Sequence, residues 1–430
     1  MRIPILTLGV IAVGAALSNA QAINPNTSWD DQWPTLESGF LSDYVQLTHA
    51  TKFIKAGESY FSPDGKMVIF QAIPIPDEGE AAGAHYSMYV SGLQRDDEGN
   101  ISGLGPAGML SAPGSANTCG WFHPTKPMTI LFGSTRTAPS STDVVGYQRK
   151  NSRYSWQFPV EMDILSGTLK MKYDLSDEAK ARAEEHQESG DTTPPELSME
   201  DIVSVPSLTN AKPLWERAGY DAEGSWSPDG RFVLYTKLDP GENNGDIWVF
   251  DNTDNSHTPL VTADGYDGGP FFSPDGKSIC YRSDRRGDNQ LQIFVSNLSF
   301  DDTGKITAVD KELQLTDNEH VNWCPFYTPD GKYLLYATSE VSHGNYEIYA
   351  IDAKGTYEPE HTARLRVTQS RGFDGLPAFT KDGKWMIWTA QRGAAPESEK
   401  PSSQLWAAKI DLEALDKAYI AAQKTLTPDD

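Results

Sequence analysis

The sequence predicts an all-β fold, a six-bladed β-propeller in which each blade is a four-stranded antiparallel sheet. Three observations predict it: a short phrase recurs, a strand-forming run follows each copy, and the copies lie about one blade apart. The phrase is an aromatic residue, Ser or Thr, Pro-Asp-Gly and a basic residue. Its five copies are Phe61–Lys66, Trp226–Arg231, Phe272–Lys277, Tyr327–Lys332 and, with Lys in place of Pro, Phe379–Lys384.

Each copy predicts a strand, a tight turn and a second strand. Pro fixes φ, Asp bonds nearby backbone N–H groups, and Gly accepts a positive φ. The runs that follow are rich in β-branched and aromatic residues, which favour half-buried strands. The turn glycines Gly230, Gly276, Gly331 and Gly383 lie 46, 55 and 52 residues apart. Each interval also holds a third strand and a fourth one, so the repeat matches one propeller blade.

Two irregular segments bring the blade count to six. A degenerate copy, Cys119–Lys126, lies between Gly65 and Gly230 and supplies the second blade. The last blade ends at its third strand, Gln404–Ala408, and the missing fourth strand is available as Tyr44–His49. We therefore expect the N-terminal strand to join the last blade, because a closed ring leaves no long exposed sheet edge.

These units resemble the TolB-type β-propeller repeat of bacteria, over about residues 44–410. The specific part is W/F-S-P-D-G-K/R followed by a strand and, in one blade, by Ser283–Gly287. TolB carries an α/β domain before its propeller, and we expect no counterpart here. The resemblance implies the propeller fold and an envelope location, not membership of the TolB assembly. Propeller-capped hydrolases carry a G-x-S-x-G motif, which this chain lacks.

The first residues predict export. Arg2 and the apolar run Ile5–Leu17 precede a small-residue cleavage site, the pattern of a secretory signal peptide. That run is too short to span a membrane, so we expect an exported protein without a transmembrane segment, periplasmic or extracellular. The predicted organisation is 1–22 signal peptide, 23–43 N-terminal extension, 44–410 propeller with an insertion at about 135–207, and 411–430 C-terminal helix or tail.

Charge and cysteine content limit the partners and the cross-links. The net charge of −24 disfavours nucleic acid, which needs Lys and Arg stripes, and suits basic partners or cations. The chain has three cysteines. Cys119 and Cys324 occupy equivalent positions in opposite blades, too far apart for a disulfide. We therefore predict three free thiols.

A polar position recurs seven residues before the Pro of the turn, or before its replacement Lys381. It is occupied by Asn117, Asp221, Asp267, Asn322 and Asp374. First strands line a propeller channel, so we expect these side chains to ring its mouth, with Glu58, Glu223 and His320 close by. Such oxygens could hold Ca²⁺, with Asp221, Asp267 and Asp374 as ligands. The alternative, which we favour, is that they make local turns and bond backbone N–H groups.

The residue pattern leads to one preferred function and two alternatives. The blades account for nearly the whole chain and no catalytic motif is present, so we predict an exported noncatalytic propeller without a cofactor. Its partner would be a protein or another cell-envelope component, such as an envelope polymer. One alternative is a carbohydrate-active enzyme, a lyase or hydrolase, in which Asp221, Asp267 and Asp374 hold a cation or act as acid and base. The other is an assembly subunit that uses the 135–207 insertion for contact.

Overall fold

A computed structural model describes residues 32–140, 146–150, 153–157, 159–188, 198–240, 244–393 and 401–427. The predicted signal peptide, residues 1–22, lies outside this part of the chain. Within it, six antiparallel sheets of four strands each form the blades. The predicted all-β, six-bladed propeller is therefore confirmed.

The strands of each blade follow one another in chain order, from the channel outward, except in the last blade. Blade 1 contains Phe53–Phe61, Met67–Pro74, Ser87–Arg95 and Ile101–Met109. Blade 2 contains Asn117–Phe122, Thr129–Ser134, Asp163–Leu175 and Ile202–Pro213. Blade 3 contains Tyr220–Trp226, Phe232–Leu238, Asp246–Asp251 and Ser256–Val261. Blade 4 contains Asp267–Phe272, Ser278–Ser283, Gln292–Phe300 and Ile306–Gln314.

The last two blades and the remaining elements complete the fold. Blade 5 contains Asn322–Tyr327, Tyr333–Ser342, Asn345–Asp352 and Leu365–Arg366. Blade 6 contains Asp374–Phe379, Trp385–Ala390, Gln404–Ile410 and Leu41–Gln46. A separate hairpin pairs Gly146–Lys150 with Arg153–Gln157. The helices are Trp33–Glu37, Asp177–Glu188 and Leu412–Leu426, and the 3₁₀ turns are Met199–Asp201 and Pro359–His361.

The repeated phrase builds the same turn in five blades. In blade 1 the buried Ser62 hydroxyl donates to Asp64 Oδ1 at 2.7 Å and accepts from the Met67 N–H at 2.9 Å. Asp64 Oδ1 also accepts from the Lys66 N–H, and Gly65 adopts φ +65°. Equivalent bonds recur at the four other turns. The phrase is therefore scaffold, since its polar groups bond one another.

The closing strand pairs with the third strand of blade 6, as predicted. Leu41 lies opposite Ile410, and Gln46 lies opposite Trp406. The strand is Leu41–Gln46, three residues earlier at its start than the predicted Tyr44–His49. Its early start follows from the helix Trp33–Glu37, which packs against the same blade and brings the chain to the sheet edge sooner.

A buried charge cluster attaches this N-terminal segment to blade 6. The Arg392 guanidinium donates to both Glu37 oxygens at 2.9 Å and to Asp374 Oδ2 at 2.6 Å, and all three side chains are almost fully buried. The indole rings of Trp33 and Trp388 lie against the guanidinium, at 4.3 and 5.1 Å. We call Glu37, Arg392 and Asp374 the closing triad, because it joins the segment that precedes the first blade in the sequence to the last blade.

The predicted insertion mainly lengthens blade 2. Its third and fourth strands extend as a long antiparallel hairpin, in which Leu175 lies opposite Ile202. A helix, Asp177–Glu188, follows the third strand, and the Ser176 hydroxyl accepts from the Ala179 N–H. The C-terminal helix Leu412–Leu426 also forms where predicted and packs Leu415 and Tyr419 against blades 5 and 6.

Two further expectations concern the described residues. All three cysteines are free, as predicted. None of the helices described is both long and apolar enough to cross a membrane.

The closing triad makes a prediction about stability. Replacing Arg392 by Met leaves two buried carboxylates without their cation, so we expect the free energy of unfolding to fall by about 3–5 kcal/mol. Urea unfolding followed by circular dichroism measures this loss. The control is Lys417→Met, which removes an exposed i,i+4 pair with Glu413 and should leave the unfolding midpoint unchanged. Equal effects of the two substitutions would contradict the role of the triad.

Candidate functional site: a closed-floor cup in the channel

The first strand of every blade contains one residue in the left-handed region. These residues have φ between 41° and 60° and lie five positions before the turn Pro, or before Lys381 in blade 6: Glu58, Cys119, Glu223, Gly269, Cys324 and Leu376. The pairing register with the second strand shifts at this point in each blade. Each first strand therefore carries a β-bulge at the same level of the channel.

These bulges direct side chains into the channel. A bulge locally re-aims a side chain out of the regular alternation of a strand. All six bulge residues line one cavity of about 710 Å³ at the centre of the ring. A left-handed conformation costs a non-glycine residue about 1–2 kcal/mol, and five of the six are not glycine. We call these six positions the bulge ring.

Four aromatic rings close the channel beneath the bulge ring. Tyr60, Trp121, Phe271 and Phe326 each lie two residues after a bulge residue, and every pair of them is in contact, with centroids 4.4–6.0 Å apart. Since each ring touches the other three, together they fill the centre of the channel. This aromatic plug forms the floor of the cavity.

The cavity opens at the end of the propeller opposite the repeated turns. Its outer lining includes His85, Tyr86, His343 and Gly344, which lie between the second and third strands of blades 1 and 5. Those connections occupy the end of a blade remote from the turn between its first two strands. The plug, the bulge ring and this mouth together form a cup, which we call the channel cup.

Glu223 is the most extensively bonded group in the cup. Its carboxylate accepts from Tyr266 Oη at 2.7 Å, Thr236 Oγ1 at 2.8 Å and the Gly269 N–H at 2.5 Å. Arg282 donates to it at 3.2 Å and to Tyr266 Oη at 2.8 Å. Burial opposes the charge on Arg282, but Tyr266 and Glu223 outweigh it and keep the Arg282 pKa above its ordinary value. Glu223 is thus neutralised by a fixed cation.

Arg282 reaches the channel because blade 4 has glycine in the bulge ring. A Cβ on Gly269 would overlap the guanidinium. Arg282 belongs to the second strand, opposite Gly268, and its side chain occupies the space that a larger bulge residue would take. The glycine thus allows a cation from the second strand to line the cup.

Glu58 lies in different surroundings. Its carboxylate accepts from Tyr60 Oη and Thr118 Oγ1, both at 3.3 Å, and no ion pair to it occurs among the described residues. Burial raises the Glu58 pKa above the ordinary 4.5, a hydrogen bond from Cys119 lowers it, and the Glu223 charge raises it further. Burial also raises the pKa of the Cys119 thiol far above its usual range, so the thiol stays protonated and donates to Glu58.

The structure locates each residue of the sequence-predicted site. The five Asn and Asp residues begin their first strands or lie next to the start, and all are buried. Of the eight residues named from the sequence, Glu58, Asn117 and Glu223 line the cup; Asp221, Asp267, Asn322, Asp374 and His320 do not. No sequence pattern pointed to a site role for Cys119, Arg282 or Gln71.

The side chains of the predicted polar ring bond neighbouring groups of the protein. Asp221 accepts from Trp215 Nε1 at 2.7 Å and pairs with Arg217. Asp267 pairs with Arg285 at 2.9 Å, and Asp374 belongs to the closing triad. The remaining members bond as follows: Asn117 donates to the Tyr86 carbonyl, Asn322 accepts from Thr338 Oγ1, and the His320 carbonyl accepts from Gln292 Nε2.

Most of these bonds involve side chains, whereas the local alternative predicted bonds from backbone N–H groups; Asp267 accepts one such bond, from the Ala263 N–H at 3.1 Å. Each of the three aspartates has an arginine partner from its own blade or from the adjoining loop. Within the described ranges no three His, Cys, Asp or Glu side chains come together as a metal site would need. A Ca²⁺ site formed by Asp221, Asp267 and Asp374 stays a prediction, and this geometry adds no support to it.

The closed ring and its channel cup define a six-bladed β-propeller protein. Similar folds occur in two solved structures of TolB proteins. A putative TolB from Agrobacterium tumefaciens has 13% identity and a TM-score of 0.42, and the match covers 83% of this chain and 90% of that chain. TolB from Acinetobacter baumannii has 13% identity and a TM-score of 0.41, and the match covers 83% of this chain and 63% of that chain. An oligogalacturonate lyase from Vibrio parahaemolyticus has 12% identity and a TM-score of 0.40, and the match covers 86% of this chain and 94% of that chain. No family model matches the chain. The propeller fold that the TolB-type resemblance implied is confirmed by the six four-stranded sheets of the structure.

The glycine of the bulge ring leads to a second prediction. Gly269→Ala adds both left-handed strain and an overlap with Arg282, which Glu223 and Tyr266 hold in place. Gly287→Ala is the matched control, because Gly287 has φ +73° and open space around it. We expect a loss of unfolding free energy of about 1–2 kcal/mol for the control and about 1–3 kcal/mol more for Gly269→Ala. Equal losses in urea unfolding would contradict the placement of Arg282.

Glu58 makes stability depend on pH. Its folded-state pKa is raised above 4.5, so its stabilising contribution is present below that pH and is lost as the pH rises through the folded pKa. Glu58→Gln keeps the shape and removes the ionisation. The variant should match wild type in Tm at about pH 4 and exceed it at about pH 8.

Thermal unfolding at both pH values measures the effect of Glu58→Gln. Glu98→Gln, at an exposed glutamate in blade 1, is the control and should follow wild type throughout. A Glu58→Gln protein that is less stable than wild type at the higher pH would show that the buried carboxylate is not destabilising.

Proposed function

We propose that this protein is an exported, noncatalytic TolB-like β-propeller that binds a segment of a protein or of another cell-envelope component in its channel cup. The observation that carries the proposal is the cup itself, a cavity of about 710 Å³ with one mouth and an aromatic floor. Export rests on the signal-peptide pattern of residues 1–22.

The size and lining of the cup suit a bound segment. Ligand cavities in proteins measure roughly 300–1,000 Å³ and combine apolar walls with a few convergent polar groups. The cup has aromatic walls, including Tyr86, Trp323, Tyr346 and Phe373, and a small polar set around Glu58. Its bulge ring lies on strands of a closed ring, so the binding groups are held before a ligand arrives.

The polar groups favour binding over catalysis. The Glu223 carboxylate already accepts hydrogen bonds from Tyr266, Thr236 and the Gly269 N–H and pairs with Arg282, so its oxygens are engaged within the protein. Burial raises the pKa of both Cys119 and Cys324, the latter to about 12. Thiols with raised pKa values are weak nucleophiles, because the thiolate is the reactive form.

One observation favours the carbohydrate-active alternative. Glu58 and Glu223 face the same cavity, and the Glu223 charge contributes to the raised pKa of Glu58. Two carboxyl groups in unlike surroundings can serve as acid and base in glycoside cleavage. Such an enzyme would use Glu58 and Glu223 in place of Asp221, Asp267 and Asp374. Turnover of an envelope polysaccharide that Glu58→Gln abolishes would favour this alternative.

Blocking the mouth of the cup tests the binding function. Gly344 lies at the mouth, and an added Cβ there would meet only Ser342 Oγ, at 3.9 Å. Gly344→Trp therefore places a large side chain at the entrance without a clash at its base. We expect this variant to lose the component that wild type captures from an envelope extract.

The matched control is Gly92→Trp. Gly92 lies in blade 1, outside the cup, and an added Cβ there would have no atom within 4 Å. It adds the same side chain and should retain capture at the wild-type level. Capture that survives Gly344→Trp would place the binding surface outside the channel cup.

A further inference from the structure

We propose that the channel cup recognises a primary ammonium group carried on a slender chain, as in a lysine side chain or a free alkylamine. This inference rests on the proposed binding function and specifies the chemical group that the cup selects. It depends on the Glu58 carboxyl group, which has no ion pair among the described residues, on an amide oxygen that has no donor there, and on the aromatic surfaces around them.

Two carboxylates line the cup, and they differ in their partners. Arg282 pairs with Glu223 at 3.2 Å. Among the described residues no lysine, arginine or histidine pairs with Glu58, whose hydrogen bonds come from the neutral Tyr60, Thr118 and Cys119. A buried carboxylate is stable when a cation pairs with it. Glu58 therefore provides the cup with a binding position for an external cation.

A second acceptor lies beside the bulge of Glu58. Gln71 is on the second strand of blade 1, opposite Gly57, and lines the same cavity. It is 9% exposed, and its Oε1 has no hydrogen-bond donor within the part of the chain that the structure describes. An amide oxygen without a donor is costly in such a place. A ligand that donates hydrogen bonds would remove that cost.

The walls of the cup suit a compact cation. Tyr60 and Phe271 of the plug line the cavity, the Tyr60 hydroxyl bonds Glu58, and Tyr86 lies near the mouth. The protein's own Lys55 already places its ammonium 4.6 Å from the centre of the Tyr86 ring. Cations are attracted to the faces of aromatic rings, by about 0.5–2 kcal/mol according to their desolvation.

An ammonium fits these groups better than a planar cation. Its three donors point in separate directions and match point acceptors such as Glu58 and the Gln71 amide oxygen. A guanidinium prefers two parallel bonds to one carboxylate, but Tyr60 and Thr118 each bond a different oxygen of Glu58. The net charge of −24 also raises the local concentration of cations near the mouth.

Calorimetric titration of the full chain tests the inference with three probes. They are the blocked peptide acetyl-Gly-Lys-Gly-amide, the same peptide with norleucine in place of lysine, and cadaverine. The norleucine peptide has the same chain length but ends in a methyl group. We expect it to bind at least about tenfold more weakly than the lysine peptide, because it lacks the charged donor.

Variants assign the effect to the cup. Glu58→Gln and, separately, Gln71→Met should each weaken binding of the ammonium probes, the first by about tenfold or more. Glu98→Gln removes the same charge at an exposed site and should leave affinity unchanged. Circular dichroism and Tm of each variant verify the fold. If only one Glu58 or Gln71 variant folds, that variant alone decides the test.

The outcomes separate the two proposals. Selective binding of the lysine peptide assigns the site to lysine side chains, and selective binding of cadaverine alone assigns it to free amines; both support the inference. Equal binding of the lysine and norleucine peptides, or an affinity unaffected by Glu58→Gln, overturns it. If neither the lysine peptide nor cadaverine binds while Gly344→Trp still abolishes capture from the envelope extract, the ammonium inference fails and the binding function stands.

Discussion

Ring closure is the constraint on which the other features depend. A propeller whose first and last blades did not join would expose sheet edges to the solvent and to other chains. Here the last blade takes its outermost strand from Leu41–Gln46, and the closing triad holds that segment in place. The channel exists only while the ring is closed, because its wall is made of the first strands of all six blades. The two ends of the chain therefore determine a cavity that lies far from either of them in sequence.

Within the closed ring, one backbone feature determines what lines the cavity. Every first strand bulges at the same level, and the bulge residue differs between blades: two glutamates, two cysteines, a leucine and a glycine. The scaffold is thus common to all blades, whereas the chemistry varies at one position in each. Gly269 extends this variation, since it allows Arg282 of the second strand to reach Glu223. Among the described residues the cup therefore contains one carboxylate in an ion pair, Glu223, and one without an ion pair, Glu58, whose pKa the more distant Arg282 charge also lowers.

The sequence predicted the scaffold well because the turn chemistry is local. The Pro-Asp-Gly phrase needs particular residues to bond its own backbone, so its copies are visible and count the blades. The polar position before each first strand was visible for a similar reason, because Asp and Asn bond nearby groups. Sequence equivalence does not show where a side chain points, however. Asp267 and Asp374 were expected at the channel mouth, but they face arginines of their own blades.

The bulge ring could not be recognised from residue types. A left-handed bulge here accepts Glu, Cys, Leu and Gly alike, so no composition marks the position. The equivalence of Cys119 and Cys324 was its one visible trace. The plug was not recognised either. Its four rings each directly precede a second aromatic residue, Phe61, Phe122, Phe272 or Tyr327, and residue types do not show that the first of each pair faces the channel. Both features arise where blades meet, and only the assembled ring brings those residues together.

The most direct test of the central claim is a high-resolution crystal structure of the mature protein soaked with methylammonium. We expect positive φ at Glu58, Cys119 and Glu223, a plug of four contacting aromatic rings, and the cation beside Glu58 on the mouth side of that plug. A channel open from end to end, or first strands without bulges, would contradict the description of a closed-floor cup lined by the bulge ring.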